Sequence, residues 1–214
     1  MRFAEGIVIS ATKAAPMRFT IFFFLFAMMV QACEEPALVP KPRAYPKVVY
    51  PERGYQPFTE NYCDFTFEYP VYATIQQDTA FFDEKPAHPC WFNVYFPDFE
   101  CRIHCSYVPI TAEAPLDKLK TDAFKMTDWH NKKATYIDER PFLNPNGVKG
   151  MLFEVEGPVA SQMQFYMTDS LEQKHFMRGA LYFYAKAQPD SLAPVYNFVK
   201  EDVLHMIETF KWTQ

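Results

Sequence analysis

An α+β domain, an antiparallel β-sheet covered by two main helices, is the fold that this 214-residue sequence predicts. Three observations lead there. Aromatic residues make up 18% of the chain and gather in alternating runs, which favours strands. Turn signals separate those runs, so neighbouring strands fold back as antiparallel hairpins. Two longer stretches instead repeat apolar residues at helical spacing, and each must bury that stripe against another element.

The chain opens with residues that stay outside the fold. Arg18 supplies a short basic start, and Phe19 to Val30 is apolar apart from Thr20. Twelve helical residues at about 1.5 Å each reach only about 18 Å, short of a hydrocarbon core of about 30 Å, so the run reads as a secretory signal and not a membrane span. Val30-Gln31-Ala32-Cys33 has the layout of a bacterial lipobox. Residues 1–33 are therefore expected to be a signal peptide, with Met1 or Met17 as the start and Cys33 as the lipidated N-terminus of the mature chain.

Residues 34–60 begin with Glu34-Glu35 and carry Pro36, Pro40, Pro42, Pro46, Pro51 and Pro57. Such a segment tends to extended polyproline conformations and acts as a semi-rigid tether. Lys41, Arg43, Tyr45, Tyr50 and Tyr55 punctuate it. Two readings stand: the aromatics fold back on the domain as an edge strand, or the series is a partner-docking arm, since aromatics and Arg are common interface anchors.

Residues 61–214 are expected to form one domain. FTFEYPVYATI, WFNVYFP and CRIHCSYVPI read as strands, the last two joined as a hairpin across Asp98 to Glu100. Ala114 to Ala134 reads as a helix with Leu116, Leu119, Ala123 and Met126 on its apolar stripe. A second hairpin, Thr135–Phe142 and Lys149–Glu156, turns at Asn144-Pro145-Asn146-Gly147. Gln162–Thr168 and His175–Lys186 continue the sheet. A helix from about Ser191 to Lys211 closes the chain, with Pro194 expected in its first turn, where a missing amide donor matters little. Gly179, inside the strand-like HFMRGALYF, is expected to mark a bulge more than a ligand site.

Four cysteines remain after Cys33, and in an oxidising compartment they allow three full pairings. Cys101 and Cys105 are too far apart along one strand to bridge, about 13 Å. Cys63 and Cys90 each precede a strand and form the favoured disulfide. A metal site of Cys101, His104 and Cys105 fails because strand alternation points His104 away from both thiols.

Signs of catalysis are sparse. The sequence holds no GxSxG, HExxH, Walker A or GxGxxG motif, and six glycines leave little material for a phosphate cradle. His88, His104, His130, His175 and His205 fall in separate elements. No catalytic residue, metal site or cofactor is indicated. The net charge is -5, and the mature part is more acidic still, so nucleic acid is not an expected partner.

The element order is similar to that of the PsbP-like sandwich, a likeness of architecture that says little about function. A closer resemblance is carried by Cys33 with its lipobox and by Lys41-Pro42-Arg43. It continues through FEYPVYATI, PCWFNVYFP, IHCSYVPI, QFYMTDS, HFMRGALYF and DSLAPVYNFVKEDVLHMIETFKW. Over nearly the whole mature chain these resemble the gliding motility lipoprotein GldD family of the Bacteroidetes. Ala44 stands where that family commonly has Gly after KPR. The resemblance implies a non-enzymatic envelope lipoprotein needed for gliding and for type IX secretion; its lipid is expected to hold it at the outer membrane on the periplasmic side, with the cell surface as the alternative that Glu34-Glu35 suggests. It implies other gliding and secretion envelope proteins as partners, and it supplies no catalytic residues. The alternative is a small-ligand or glycan-binding lipoprotein, for which the test is an aromatic-lined pocket with convergent polar groups.

Overall fold

The computed structural model describes residues 47–78, 86, 88–185 and 188–213. The expected signal peptide, Cys33 and the arm residues Lys41, Arg43 and Tyr45 lie outside them. The described part is organised by a seven-stranded antiparallel sheet. Its strands are β4 (Thr74–Gln77), β5 (Trp91–Phe96), β6 (Cys101–Pro109), β7 (Tyr136–Leu143), β8 (Lys149–Glu156), β9 (Met163–Thr168) and β10 (His175–Phe183). Their spatial order is β4-β5-β6-β10-β9-β8-β7. Both expected hairpins form, β5 with β6 and β7 with β8.

Helix α1 (Leu116–Asp128) carries the chain from the middle of the sheet at β6 to its far edge at β7, so that the meander β7 to β10 returns and pairs β10 with β6. Helix α2 (Pro189–Thr209) follows β10. The two helices cover opposite faces. Val199, Val203, Met206 and Phe210 join Cys101, Ile103 and Cys105 in the larger core, whereas Ala123 of α1 packs with Phe153, Tyr166 and Phe176. All six residues of β9 are buried because that strand is covered on both sides.

Several elements depart from the sequence reading. Phe65 to Ile75 is not one strand of the main sheet. It breaks into β2 (Phe65–Thr66), β3 (Glu68–Pro70) and β4, because Pro70 ends β3 and Ala73 N–H donates back to Pro70 O at 3.0 Å. β3 pairs with β1 (Tyr55–Pro57), and β2 pairs with β11 (Lys211–Trp212), two short ribbons beside the sheet. They bring Phe58, Phe65 and Phe67 over Phe92 and Phe210 as a packed aromatic layer.

Helix α1 is shorter than expected and continues as a 3₁₀ turn, Trp129–Lys132. Its buried stripe is also rotated: Ala123 and Thr127 are buried, while Met126 is 49% exposed. The Thr127 hydroxyl donates to Ala123 O at 3.1 Å, which satisfies a polar atom that the sequence pattern placed off the stripe. α2 begins at Pro189, so Pro194 lies in its second turn and not its first. The helix ends where Phe210 turns extended (φ -60, ψ 135) to enter β11. Asn144 of the β7–β8 turn secures that end. Its side-chain nitrogen donates to Ile207 O at 2.9 Å and Phe210 O at 2.7 Å, while its oxygen accepts from Asn146 and Val148 N–H.

Gly179 makes no bulge. Its register is unbroken between Phe165 on β9 and Cys105 on β6, and the Phe165 ring lies in the space where a Cβ would stand. The glycine is there for an aromatic cover. Cys63 and Cys90 are joined as a disulfide with Cα atoms 5.5 Å apart, tying the chain before β2 to the start of β5. Cys101 and Cys105 are free and buried, their thiols held protonated by burial, with Asp202 adding at Cys101.

Candidate functional site

α1 packs on β9 and β10 and leaves the neighbouring half of its face open as a cavity of about 860 Å³. Alternation in β6 builds the floor. Cys101, Ile103 and Cys105 point into the α2-side core, so Arg102, His104 and Ser106 must point into the cavity. Register sets the rows: Ser106 lies between Trp91 and Arg178, His104 faces Asn93, and Arg102 lies between Tyr95 and Tyr182. Met126, Trp129 and His130 line the cavity from the end of α1 and its 3₁₀ turn, and Asp78 and Tyr184 complete the lining. Trp129 is 71% exposed and Tyr184 59%, so large apolar surfaces stand open beside a polar floor.

The floor carries more positive than negative charge. Among the described residues that line it, Asp78 is the one carboxylate, against the guanidiniums of Arg102 and Arg178. Arg178 donates to Gln164 Oε1 and hydrogen-bonds Tyr182, and burial lowers its pKa. The Arg102 guanidinium lies over the Tyr184 ring at 4.6 Å and the Tyr95 ring at 5.6 Å, while its buried Nε has no hydrogen-bond partner. His104 Nδ1 is 3.0 Å from Asn93 Oδ1 and 3.8 Å from Asp78 Oδ2. Burial lowers the His104 pKa; Asp78 opposes this, and Arg178 and Arg102 reinforce it. His130 is likewise lowered, by burial and then by Arg178. Both imidazoles are therefore weaker bases than a free histidine, and the site's positive charge resides on the arginines. The arrangement suits an anionic group that also presents an apolar surface.

A second polar cluster lies on the other face, and the sequence reading missed it. Asp202 of α2 is 1% exposed and accepts from Tyr55 Oη at 3.0 Å and Tyr72 Oη at 2.7 Å. Arg53 Nε lies 3.8 Å from the same carboxylate; the guanidinium also pairs with Glu201, donates to Phe198 O at 2.9 Å and covers the Phe198 ring at 4.4 Å. Burial raises the Asp202 pKa, and the two tyrosine hydrogen bonds pull it back. The available signal was a carboxylate flanked by Phe198, Val199, Val203 and Met206 on an apolar stripe.

This cluster accounts for the described part of the arm. Tyr55 sits in β1, stacked on His205 at 3.7 Å, and Tyr50 packs on Phe198 at 4.7 Å. Of the five histidines, only His104 and His130 meet in the cavity. His88 accepts from Cys90 N–H, His175 bonds the Tyr107 hydroxyl at 2.8 Å, and His205 lies 2.7 Å from Glu68.

Fold and site together define an α+β domain with one helix on each sheet face and a cation-lined pocket beside the shorter helix. Among the described residues no helix is long and apolar enough to cross a membrane. The chain belongs to the gliding motility lipoprotein GldD family, whose model matches residues 35–212. That membership gives it a role in gliding motility and associates it with the cell envelope. No curated protein matches the chain. Among solved structures it is similar to the solution structure of cyanobacterial PsbP (CyanoP) from Synechocystis sp. PCC 6803, with a TM-score of 0.38 and 10% sequence identity over 71% of this chain and 92% of that one. A likeness so faint carries no argument here, and the α+β class stands on the strand order itself.

Proposed function

We propose that this protein is a non-enzymatic assembly component of the gliding apparatus and of the type IX secretion machinery linked to it. Cys33 carries the lipid that holds it at the outer membrane, on the periplasmic side, and its partners are other gliding and secretion envelope proteins. The observation that carries this reading is the span of the family match, residues 35–212, which assigns the family's role to the whole chain after the anchor. The fates of Tyr50 and Tyr55 add to it. Both are engaged with α2, which supports a reading in which partners meet the domain surface or the residues before Lys47.

The test is complementation of a deletion strain, scoring gliding and secretion together. Single substitutions of His88, His104, His130, His175 and His205 should each restore both processes. Loss of both by one histidine or carboxylate variant that is still folded and abundant would point to catalysis and sink the reading. Crosslinking from native envelopes should compare the full protein with one lacking residues 36–46, because a longer deletion would remove Phe58 from the core and Arg53 and Tyr55 from their contacts with Asp202. Cys33→Ala should leave the protein out of the membrane fraction, and protease treatment of intact cells should leave the wild type uncut.

A further inference from the structure

The cavity beside α1 has a composition that structural duty does not explain. Trp129, Tyr184 and Met126 keep large apolar surfaces in water at its rim, whereas a cavity needed only for packing would bury them. Among the described residues its floor holds two guanidiniums for one carboxylate, and Arg102 Nε is buried with its hydrogen-bonding capacity unused. Short polar groups, Asn93, Ser106 and the Tyr182 hydroxyl, surround these cations. The volume, about 860 Å³, falls inside the range of about 300–1,000 Å³ for small-ligand sites and exceeds what one inorganic anion needs.

We propose that this pocket binds an acidic saccharide, with Arg178 and Arg102 receiving the sugar carboxylate and Trp129 and Tyr184 stacking on the pyranose faces. Each observation selects against another ligand. A free phosphate would leave the aromatic rim without a role. An acyl chain would leave the Arg102 and Arg178 guanidiniums facing methylenes with no partner. An extended peptide adds to a strand edge through its backbone, whereas this floor is the face of the sheet. A sugar acid uses all three parts: hydroxyls for the amide and hydroxyl side chains, ring C–H surface for the aromatics, and a carboxylate for bidentate guanidinium contact. The proposal goes beyond the assembly role and does not depend on it.

Isothermal titration of the full lipoprotein in detergent micelles, with digalacturonic acid, a hyaluronan tetrasaccharide, cellobiose and inorganic phosphate, tests it. At least one of the two acidic sugars should bind, with cellobiose and phosphate weaker by roughly tenfold or more, the loss expected when a charge-assisted hydrogen bond is removed. Arg178→Gln should weaken the acidic sugar by roughly tenfold, and Trp129→Ala by about fivefold through lost stacking. Trp129 is exposed, so that variant keeps its fold even if Arg178→Gln does not, and melting curves on both establish which are folded. Binding of neither acidic sugar, equal binding of cellobiose, phosphate binding as tight as the sugar acid, or full affinity in folded Trp129→Ala would overturn the proposal.

Discussion

Asp202 and the Arg102–Arg178 pair occupy opposite faces of one sheet and have reached different states. Around Asp202 the chain has brought two tyrosine hydroxyls and a guanidinium to one buried carboxylate, so that carboxylate is answered from within the fold. Around the arginines the described residues supply one carboxylate and leave a cavity. A buried charge answered from within the fold is architecture, because its partners can be removed only at the expense of stability. A charge excess left facing a cavity, with aromatic surface exposed at its rim, is a site waiting for an outside partner.

That contrast can be broken by substitution. Asp202→Ala should have the largest effect, a loss of about 3 kcal/mol in chemical denaturation, because it strands Tyr55, Tyr72 and Arg53 around an empty position. Next comes Gly179→Ala, which drives a methyl into the Phe165 ring and should lose about 2 kcal/mol while leaving pocket affinity unchanged. Its neighbour Arg178 faces the other way, so Arg178→Gln should produce the reverse result, with binding lost before stability. Adjacent residues thus report separately on the two faces. Trp129→Ala should change stability by less than about 0.5 kcal/mol, since an exposed side chain has little packing to lose. If Trp129→Ala destabilises more than Gly179→Ala, the pocket rim is structural and the contrast collapses.

The smallest effect is with pH. His104 and His130 have folded-state pKa values below the ordinary 6.5, so the unfolded chain takes up protons first as pH falls. Their contribution to stability is present above 6.5 and is lost as the pH falls through their lower folded values. Asp202, shifted upward, acts in the other direction, with stability that is present below 3.8 and lost as pH rises through its higher folded value. The free protein should therefore melt slightly earlier at about pH 5.5 than at about pH 7.5. A bound carboxylate beside Asp78, Arg102, Arg178 and Tyr182 should raise both histidine pKa values and so bind more tightly at the lower pH. Melting curves with and without digalacturonic acid at the two pH values check both signs.

Much of this fold was legible because alternation and helical spacing are local. The hairpins β5–β6 and β7–β8, both helices and the opposed orientations of His104 and the two thiols follow from periods of 2 and 3.6 residues. What failed needed partners distant in sequence. Phe65 and Phe67 alternate as they would in the main sheet, and only their neighbours reveal a separate ribbon. Gly179 looks like a bulge until Phe165 is placed over it. The pocket was hidden for the same reason. Arg102 and His104 meet Arg178 through the β6–β10 register, and Trp129 arrives on a helix between them, a convergence that no local pattern encodes. The arm was the opposite case: its aromatics stood out, but the carboxylate that engages Tyr55 lies 147 residues away.

The bond between Cys63 and Cys90 has a consequence for how the chain matures. In an oxidising compartment all four thiols of the domain are open to mispairing until the fold hides some of them. A chain that emerges N-terminus first presents Cys63 and Cys90 before Cys101 and Cys105, so order of arrival favours the native bridge. Pairing of β6 between β5 and β10 then withdraws the later two cysteines into the core, beyond the reach of an attacking thiolate. The sheet thereby proofreads its own oxidation.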